Sequence, residues 1–501
     1  MGNLIPLQTE FSPVLPTVRG NVDYQRFEED LFRIDQILDL GGVEELFVRL
    51  SVERWLGGCG RRVPTAHEQA NYQRRSAQAL RCHVLKQLLG EDVRGMSRRL
   101  AECPLFQWFC AIGRLEEVRV PSKSQLDRYF HWLPQEHLDQ VIGQLIRASA
   151  PGEAGSGPNR LHLANDLELS TVWIDSTCVE ANIHFPVDWV LLRDATRTLM
   201  KATALIRRHG LKQRMREPGC FVSEVNRQCI AMAQAGKAAD SKKARKRVLR
   251  RMKEMVRVVR QHAQRHRDLL DTHWAETDWT RPQAEQVLRR MDAVLEQLPA
   301  TLKQAHERII GERLVDNADK ILSLYDENLH VIVRGKAGAE VEFGNTLMIV
   351  EQAQGLVVDW HLYQESAPAD SRQLGASLER MEARVGAGVI QAVGGDRGYD
   401  SAANRELLAS KGIFNGVCPR GADELGRRRH GQRFGAVQRR RSQTEGRLGI
   451  LKNDFFGKPM RAKGYEHRAL SVSWSVLAHN LWVLARLETV EEAEEEWREA
   501  A

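Results

Sequence analysis

The spacing of apolar residues changes character repeatedly along this chain. Between positions 66 and 148 they recur at three and four, as in Leu80, Val84, Leu85 and Leu88, the stripe a packed amphipathic helix presents. HEQANYQRRSAQALRCHVLKQLLG, DVRGMSRRLAE and PLFQWFCAIG predict short helices, Ser122 opens another in SKSQLDRYFHWL, and one more follows Pro134. NVDYQRFEEDLFRIDQILDLGGVEELFVRLSV suggests further helices ahead of them. At 150–160 APGEAGSGPNR breaks the pattern with Gly, Pro and Ser, and predicts a linker. TVWIDSTCVEANI (171–183) then predicts a strand ending at Asp175 with a second extended piece behind it.

From about 189 to 325 the pattern is helical again. A Thr280-x-x-Gln283 capping box opens a long helix, with Pro299 predicting a kink. Val287, Leu288, Met291, Val294, Leu295, Leu298 and Leu302 share one face of it and are ordinary core. Strand patterns return at LHVIVR (329–334), EVEFGNTLMIVEQ (340–352) and GLVVDWHLY (355–363), separated by hairpin-like breaks. A helix (371–386), a strand ending on Asp396 (388–395), a helix (401–410), a short strand (414–418), a basic loop and a helix from about 437 to 453 follow. Without the 189–325 helices, this order predicts a mixed α/β sheet interrupted by a helical insertion.

Length changes the picture first: 501 residues exceed one ordinary core, so two to four domains are expected. No stretch reaches the roughly 18 uncharged apolar residues of a membrane helix. The nearest, SVSWSVLAHNLWVLARL (471–487), carries His479, Asn480 and Arg486 and predicts a buried helix, with Trp474 and Trp482 as core. MGNLIPLQTEF lacks the basic and apolar regions of a secretory signal, and Pro6 disfavours myristoylation. Eight scattered cysteines without a C-x-x-C pair argue against a zinc ribbon or a disulfide framework and suit a reducing cytoplasm.

The net charge of +7 hides strong segregation. Residues 201–270 hold 20 Lys/Arg against 5 Asp/Glu, and 426–470 hold 13 against 3. One basic run is commonly a solvated face; two of them around one candidate site point to nucleic acid. The acidic end, ETVEEAEEEWREAA, predicts a frayed, solvated helix.

Asp175 and Asp396 each end a predicted strand, where functional groups gather in open α/β sheets, although an aspartate there commonly just caps a turn. In RRRSQTEGRLGILKND, Arg441, Glu445 and Lys452 stand at spacings of four and seven. At α-helical pitch they fall within about 40° on one face, a carboxylate between two cations. Phosphodiester cleavage charges the attacking and leaving oxygens together, and two divalent ions about 4 Å apart stabilise both. Hard oxygen ligands hold Mg²⁺ for that role, and neighbouring cations grip adjacent phosphates.

With these residues, roughly 66–486 resembles the DDE transposases of bacterial insertion sequences, which have an RNase H-like core. WIDSTCVEANIHFPVDWVLL (173–192), GGDRGYDSAANRELL (394–408) and an R-x₃-E-x₆-K signature at Arg441, Glu445 and Lys452 carry the resemblance. It implies that Asp175, Asp396 and Glu445 are catalytic and bind two Mg²⁺ ions, Mn²⁺ substituting, and that Arg441, Lys452 and Arg397 contact DNA. The family signature often begins with a Tyr where this chain has Gln438. Asn182, His184 and Asp188 are expected to serve turns and packing, and 420–441 to form a flexible DNA-contacting loop.

The implied fold is α/β, an RNase H-like mixed sheet with a large helical insertion, preceded by an all-α DNA-binding domain. Its parts would be an N-terminal extension (1–65), a helical DNA-binding domain (66–149), a linker (150–165), a core (166–188 and 326–487), the insertion (189–325) and an acidic tail (488–501). The implied activity is metal-dependent cleavage and strand transfer of double-stranded DNA by a homodimer in the bacterial cytoplasm, nucleoid-associated when bound. The alternatives are an RNase H-like nuclease without strand transfer and a catalytically silent DNA-binding descendant.

Overall fold

The computed structural model describes residues 4–7, 14–113, 116–151, 160–236, 240–336, 339–490 and 492–493. The expected linker and acidic tail lie largely outside these residues. The first strand is preceded by α1 (Val22–Leu40), α2 (Val43–Gly58), α3 (Ala66–Leu88), α4 (Val93–Glu102), α5 (Pro104–Phe109), α6 (Lys123–Phe130) and α7 (Gln135–Ser149). Their starts are written locally. Asn21 caps α1, Asp92 caps α4, and Thr65/Glu68 and Ser122/Gln125 form reciprocal capping boxes on α3 and α6.

β1 (Thr171–Glu180) follows, then the helices α8 (Asp188–Arg208), α9 (Pro218–Ala235), α10 (Ser241–His273) and α11 (Arg281–Ala305). These four form a lobe around their own core, including Leu192, Val225, Val256 and Met291. The Thr280/Gln283 box opens α11, which runs on through Pro299. Asp188 roots the lobe: its Oδ1 accepts from Gln304 Nε2 (2.9 Å) and Arg308 Nη1 (3.0 Å). Its role is packing.

The chain returns as β2 (His330–Lys336), β3 (Ala339–Gln352), β4 (Val357–Leu362), α12 (Leu374–Val385), β5 (Ala392–Gly395), α13 (Ala402–Ser410) and β6 (Phe414–Val417). The last elements are α14 (Ala422–Arg428), α15 (Gln432–Ile450) and α16 (Tyr465–Ala485). The described strands make one mixed sheet. β3 pairs antiparallel with β1, β2 and β4, while β1, β5 and β6 run parallel. β1 is one continuous strand, so Asp175 lies within it rather than at its end, because Ser176–Glu180 keep pairing with β3.

α16 packs against α1, α3, α7 and β4, and one apolar core runs from the N-terminal helices through α16 to the sheet. Being buried nearly all round, this helix places its polar residues with care. Asn480 exchanges hydrogen bonds with the Val357 backbone (2.9 and 2.8 Å) and so satisfies β4, and Trp474 Nε1 donates to Phe130 O at 3.1 Å. No helix among the described residues is long and apolar enough to cross a membrane.

The segment expected as a basic loop is instead helical, as α14 and the first turns of α15. Aromatic anchors hold it: the Arg428 guanidinium lies 4.6 Å from the Phe434 ring centre and that of Arg433 4.3 Å from Phe414.

Candidate active site

Register sets the centre of the site. β1 and β5 pair in parallel, with Trp173 opposite Gly394 and Ile174 opposite Gly395. The next positions on the two strands are Asp175 and Asp396, neighbours where β5 ends. Side chains alternate along a strand, so Asp175 points to the same side as Trp173. That side carries α15, since Trp173 Nε1 donates to Val437 O at 2.8 Å.

Two glycines let α15 come this close. A β-carbon on Gly416 would lie 2.5 Å from Val437 Cγ1 and 2.9 Å from Val393 O, and one on Gly394 would lie 2.5 Å from the Trp173 ring. Gly416→Ala is therefore expected to lower stability by about 1–3 kcal/mol through overpacking, read as a lower urea midpoint. Gln438 then ties the helix to the strand ends, its Nε2 donating to Gly416 O (2.6 Å) and Gly395 O (3.3 Å).

On the β3 side the anchor is Glu351, which is 1% exposed. Its Oε1 accepts from Thr444 Oγ1 (2.8 Å) and Arg440 Nη1 (3.0 Å), and its Oε2 lies 3.5 Å from Arg447 Nε. Arg440 also covers the Trp173 ring at 5.0 Å. Sequence inspection missed Glu351, Arg440 and Thr444; a charged residue inside the apolar run of β3 was the available signal.

Asp175 Oδ1 accepts from the Ser176 amide at 2.7 Å. Burial pushes its carboxyl up to about 6; the Ser176 amide and Arg441 oppose this, and the charges of Asp396 and Glu445 add to it. Asp175, Asp396, Arg441 and Glu445 thus share one electrostatic neighbourhood. Asp396 also caps the turn Arg397–Tyr399, accepting from Gly398 N at 2.8 Å. Glu445 is 58% exposed and pairs with Arg441 Nη1 at 3.1 Å.

Arg397 is exposed, and its carbonyl accepts from Arg420 Nε at 3.0 Å. Lys452 lies apart from this group. The chain passes from α15 into a π-type turn at Leu451–Phe456, and Lys452 Nζ sits 3.6 Å from Glu180 and 3.8 Å from Glu342. The wider turn changes the phase of the helix, so a straight α-helical face does not reach Lys452.

Among the described residues, no three His, Cys, Asp or Glu side chains are gathered as a ready-made metal cage. The donor set nevertheless fits a hard divalent cation. It is all carboxylate oxygen, and the half-buried Asp175 feels two acidic neighbours against one guanidinium.

A family model described as a transposase DDE domain matches residues 336–481, which take in Asp396, Arg441, Glu445 and Lys452 and leave out β1 and the helices before β2. Over this segment the match bears out the resemblance to DDE transposases. No curated protein and no solved structure shows significant similarity to the chain.

Proposed function

We propose that this protein is a DNA transposase that cleaves DNA at the ends of an insertion sequence and joins the freed ends to target DNA, on an RNase H-like core. The observation that carries this is the adjacency of Asp175 and Asp396 across the parallel β1–β5 register, with Arg441 and Glu445 of α15 within electrostatic reach of Asp175. The strand arrangement supports it: an antiparallel β1–β3–β4 meander continued by parallel β5 and β6 is the layout an RNase H-like core requires.

Asp175, Asp396 and Glu445 would hold two Mg²⁺ ions, with Mn²⁺ able to replace them. When bound, such ions stabilise the charge on the attacking and leaving oxygens of a phosphodiester. Arg441 keeps the excess negative charge of the acids in check and offers donors to a phosphate oxygen. Water would open the phosphodiester at the element's end, and the released 3′-hydroxyl would attack target DNA in line. No protein nucleophile is needed. Work on two ends calls for a dimer on DNA.

Basic surface supports the DNA partner. On α10, Lys243, Arg247, Arg250 and Arg257 are exposed and fall within about 80° of arc. They form a stripe suited to phosphates, with the helices of 66–149 as a second DNA-binding region.

The test is cleavage and joining of labelled DNA carrying the flanking ends of its own gene, with Mg²⁺, comparing wild type with Glu445→Ala. The side chain of Glu445 is exposed, so the variant is expected to fold and bind DNA but to lose both reactions by about a hundredfold or more. Wild type that binds those ends yet leaves them uncut in Mg²⁺ and Mn²⁺ would overturn the enzyme reading; cutting without joining would leave a nuclease.

A further inference from the structure

A fourth carboxylate meets the two aspartates, and its position in the sequence does not advertise it. Asp370 opens the short turn Asp370–Arg372 between β4 and α12. Its Oδ1 accepts from Ser176 Oγ (3.1 Å), on the residue after Asp175, and from Gln373 Nε2 (3.1 Å). Gln373 is itself buried and bonded to Pro368 O at 2.9 Å, so the turn is held firmly.

The other oxygen of Asp370 and Oδ1 of Asp396 both border Gly398. A β-carbon built on Gly398 would lie 2.7 Å from Asp370 Oδ2 and 2.9 Å from Asp396 Oδ1, so the two carboxylates flank a position that only glycine leaves open. Beneath them lies Tyr399, fully buried, its hydroxyl beside Ser176 but making no hydrogen bond of good geometry. The charges of Asp370, Asp175 and Asp396 all reach that side chain, which places it beside the acidic group. Three carboxylates whose charges reach one buried hydroxyl give this corner of the site the hard oxygen donors that suit a hydrated divalent cation.

We propose that Asp370 belongs to the cation-binding group of this site and acts through its charge, beyond its hydrogen bond to Ser176. The inference rests on the metal-dependent reading above. It gives the site an additional acidic residue, on the loop after β4, that raises its affinity for a divalent cation. It also assigns the Tyr399 hydroxyl as a partner for the cation's water.

Asp370→Asn separates charge from shape, because the amide oxygen still accepts from Ser176 and Gln373. Mn²⁺ binding to the full-length protein without DNA, followed by titration calorimetry and by the Mn²⁺ electron paramagnetic resonance signal, is the measurement. Asp370→Asn is expected to melt with wild type in EDTA while its Mn²⁺ dissociation constant rises about tenfold or more. Ser176→Ala removes the hydrogen bond, keeps the charge and is expected to retain affinity; it decides the matter should Asp370→Asn fail to fold. Unchanged Mn²⁺ affinity in Asp370→Asn, or a loss in Ser176→Ala as large as the expected tenfold, would overturn the proposal and leave Asp370 a structural acceptor. Wild type that binds no Mn²⁺ would remove the metal-dependent reading itself.

Discussion

Asp175→Asn is expected to cut Mg²⁺-dependent strand cleavage severely and, in protein stripped of divalent cations, to raise the melting temperature at pH 8. Both effects come from one placement. The carboxylate is half-buried in β1 beside Asp396 and in the field of Glu445, and its pKa stands at about 6 against an ordinary 3.8. A raised folded-state pKa means the folded protein holds a proton that the unfolded chain has released. The stability this gives is complete below about pH 4 and is lost as pH rises through 6. At pH 8 the ionised side chain costs the metal-free fold about 2–3 kcal/mol, which the neutral amide does not.

The gain in Asp175→Asn should therefore be present at pH 8 and gone at pH 4. Added Mg²⁺ should stabilise wild type and leave the variant unmoved, since only a ligand with higher affinity for the folded form shifts melting. Cleavage should fall by about a hundredfold to a thousandfold, the scale of losing one group that stabilises transition-state charge. Melting curves at the two pH values, with EDTA and with Mg²⁺, check the first part, and turnover on end-labelled DNA checks the second. A variant that melts below wild type at pH 8 in EDTA would mean that Asp175 is a structural acceptor.

Much of this architecture was legible because local chemistry and global packing agree in it. The Thr280/Gln283 box, the apolar face of α11 and the β2–β3–β4 meander are short-range patterns, and the structure follows them. The differences arise where long-range pairing decides. The run after Asp175 carries Ser, Thr and Glu and reads as a break, yet β3 is long enough to pair with all of it. Residues 420–436 look like a loop by charge, but Phe414 and Phe434 give the arginines rings to cover. Arg441 and Glu445 keep helical spacing, whereas Lys452 lies in a π-type turn that no local pattern announces. Asp370 was invisible for another reason: its neighbours Ser176 and Gly398 are distant in the chain, and only the closed sheet brings them to it.

Glu351→Ala is expected to be the most damaging change outside the acidic group, because Glu351 connects the fold to the site. It lies across the β1–β3 ladder from Trp173, inside the sheet, and three α15 residues converge on it: Arg440, Thr444 and Arg447. Arg441 and Glu445 are on the same helix, one residue beyond Arg440 and Thr444, so the bonds that seat α15 also place the candidate active-site residues. Removing the carboxylate leaves two largely covered guanidiniums without their counter-charge, a loss of about 3 kcal/mol or more. Urea unfolding should show a lower midpoint, and amide exchange along α15 should quicken more than along α16, which is buried nearly all round in the main core. Because the penalty comes from stranded charge, adding Arg440→Met to Glu351→Ala should recover part of it, and a double-mutant cycle should return a clear coupling. Cleavage should stay low in the repaired protein, since stability returns without the bonds that orient α15. Single variants that simply add, with unfolding unchanged, would show that α15 is seated by Trp173, Gln438 and its apolar contacts alone.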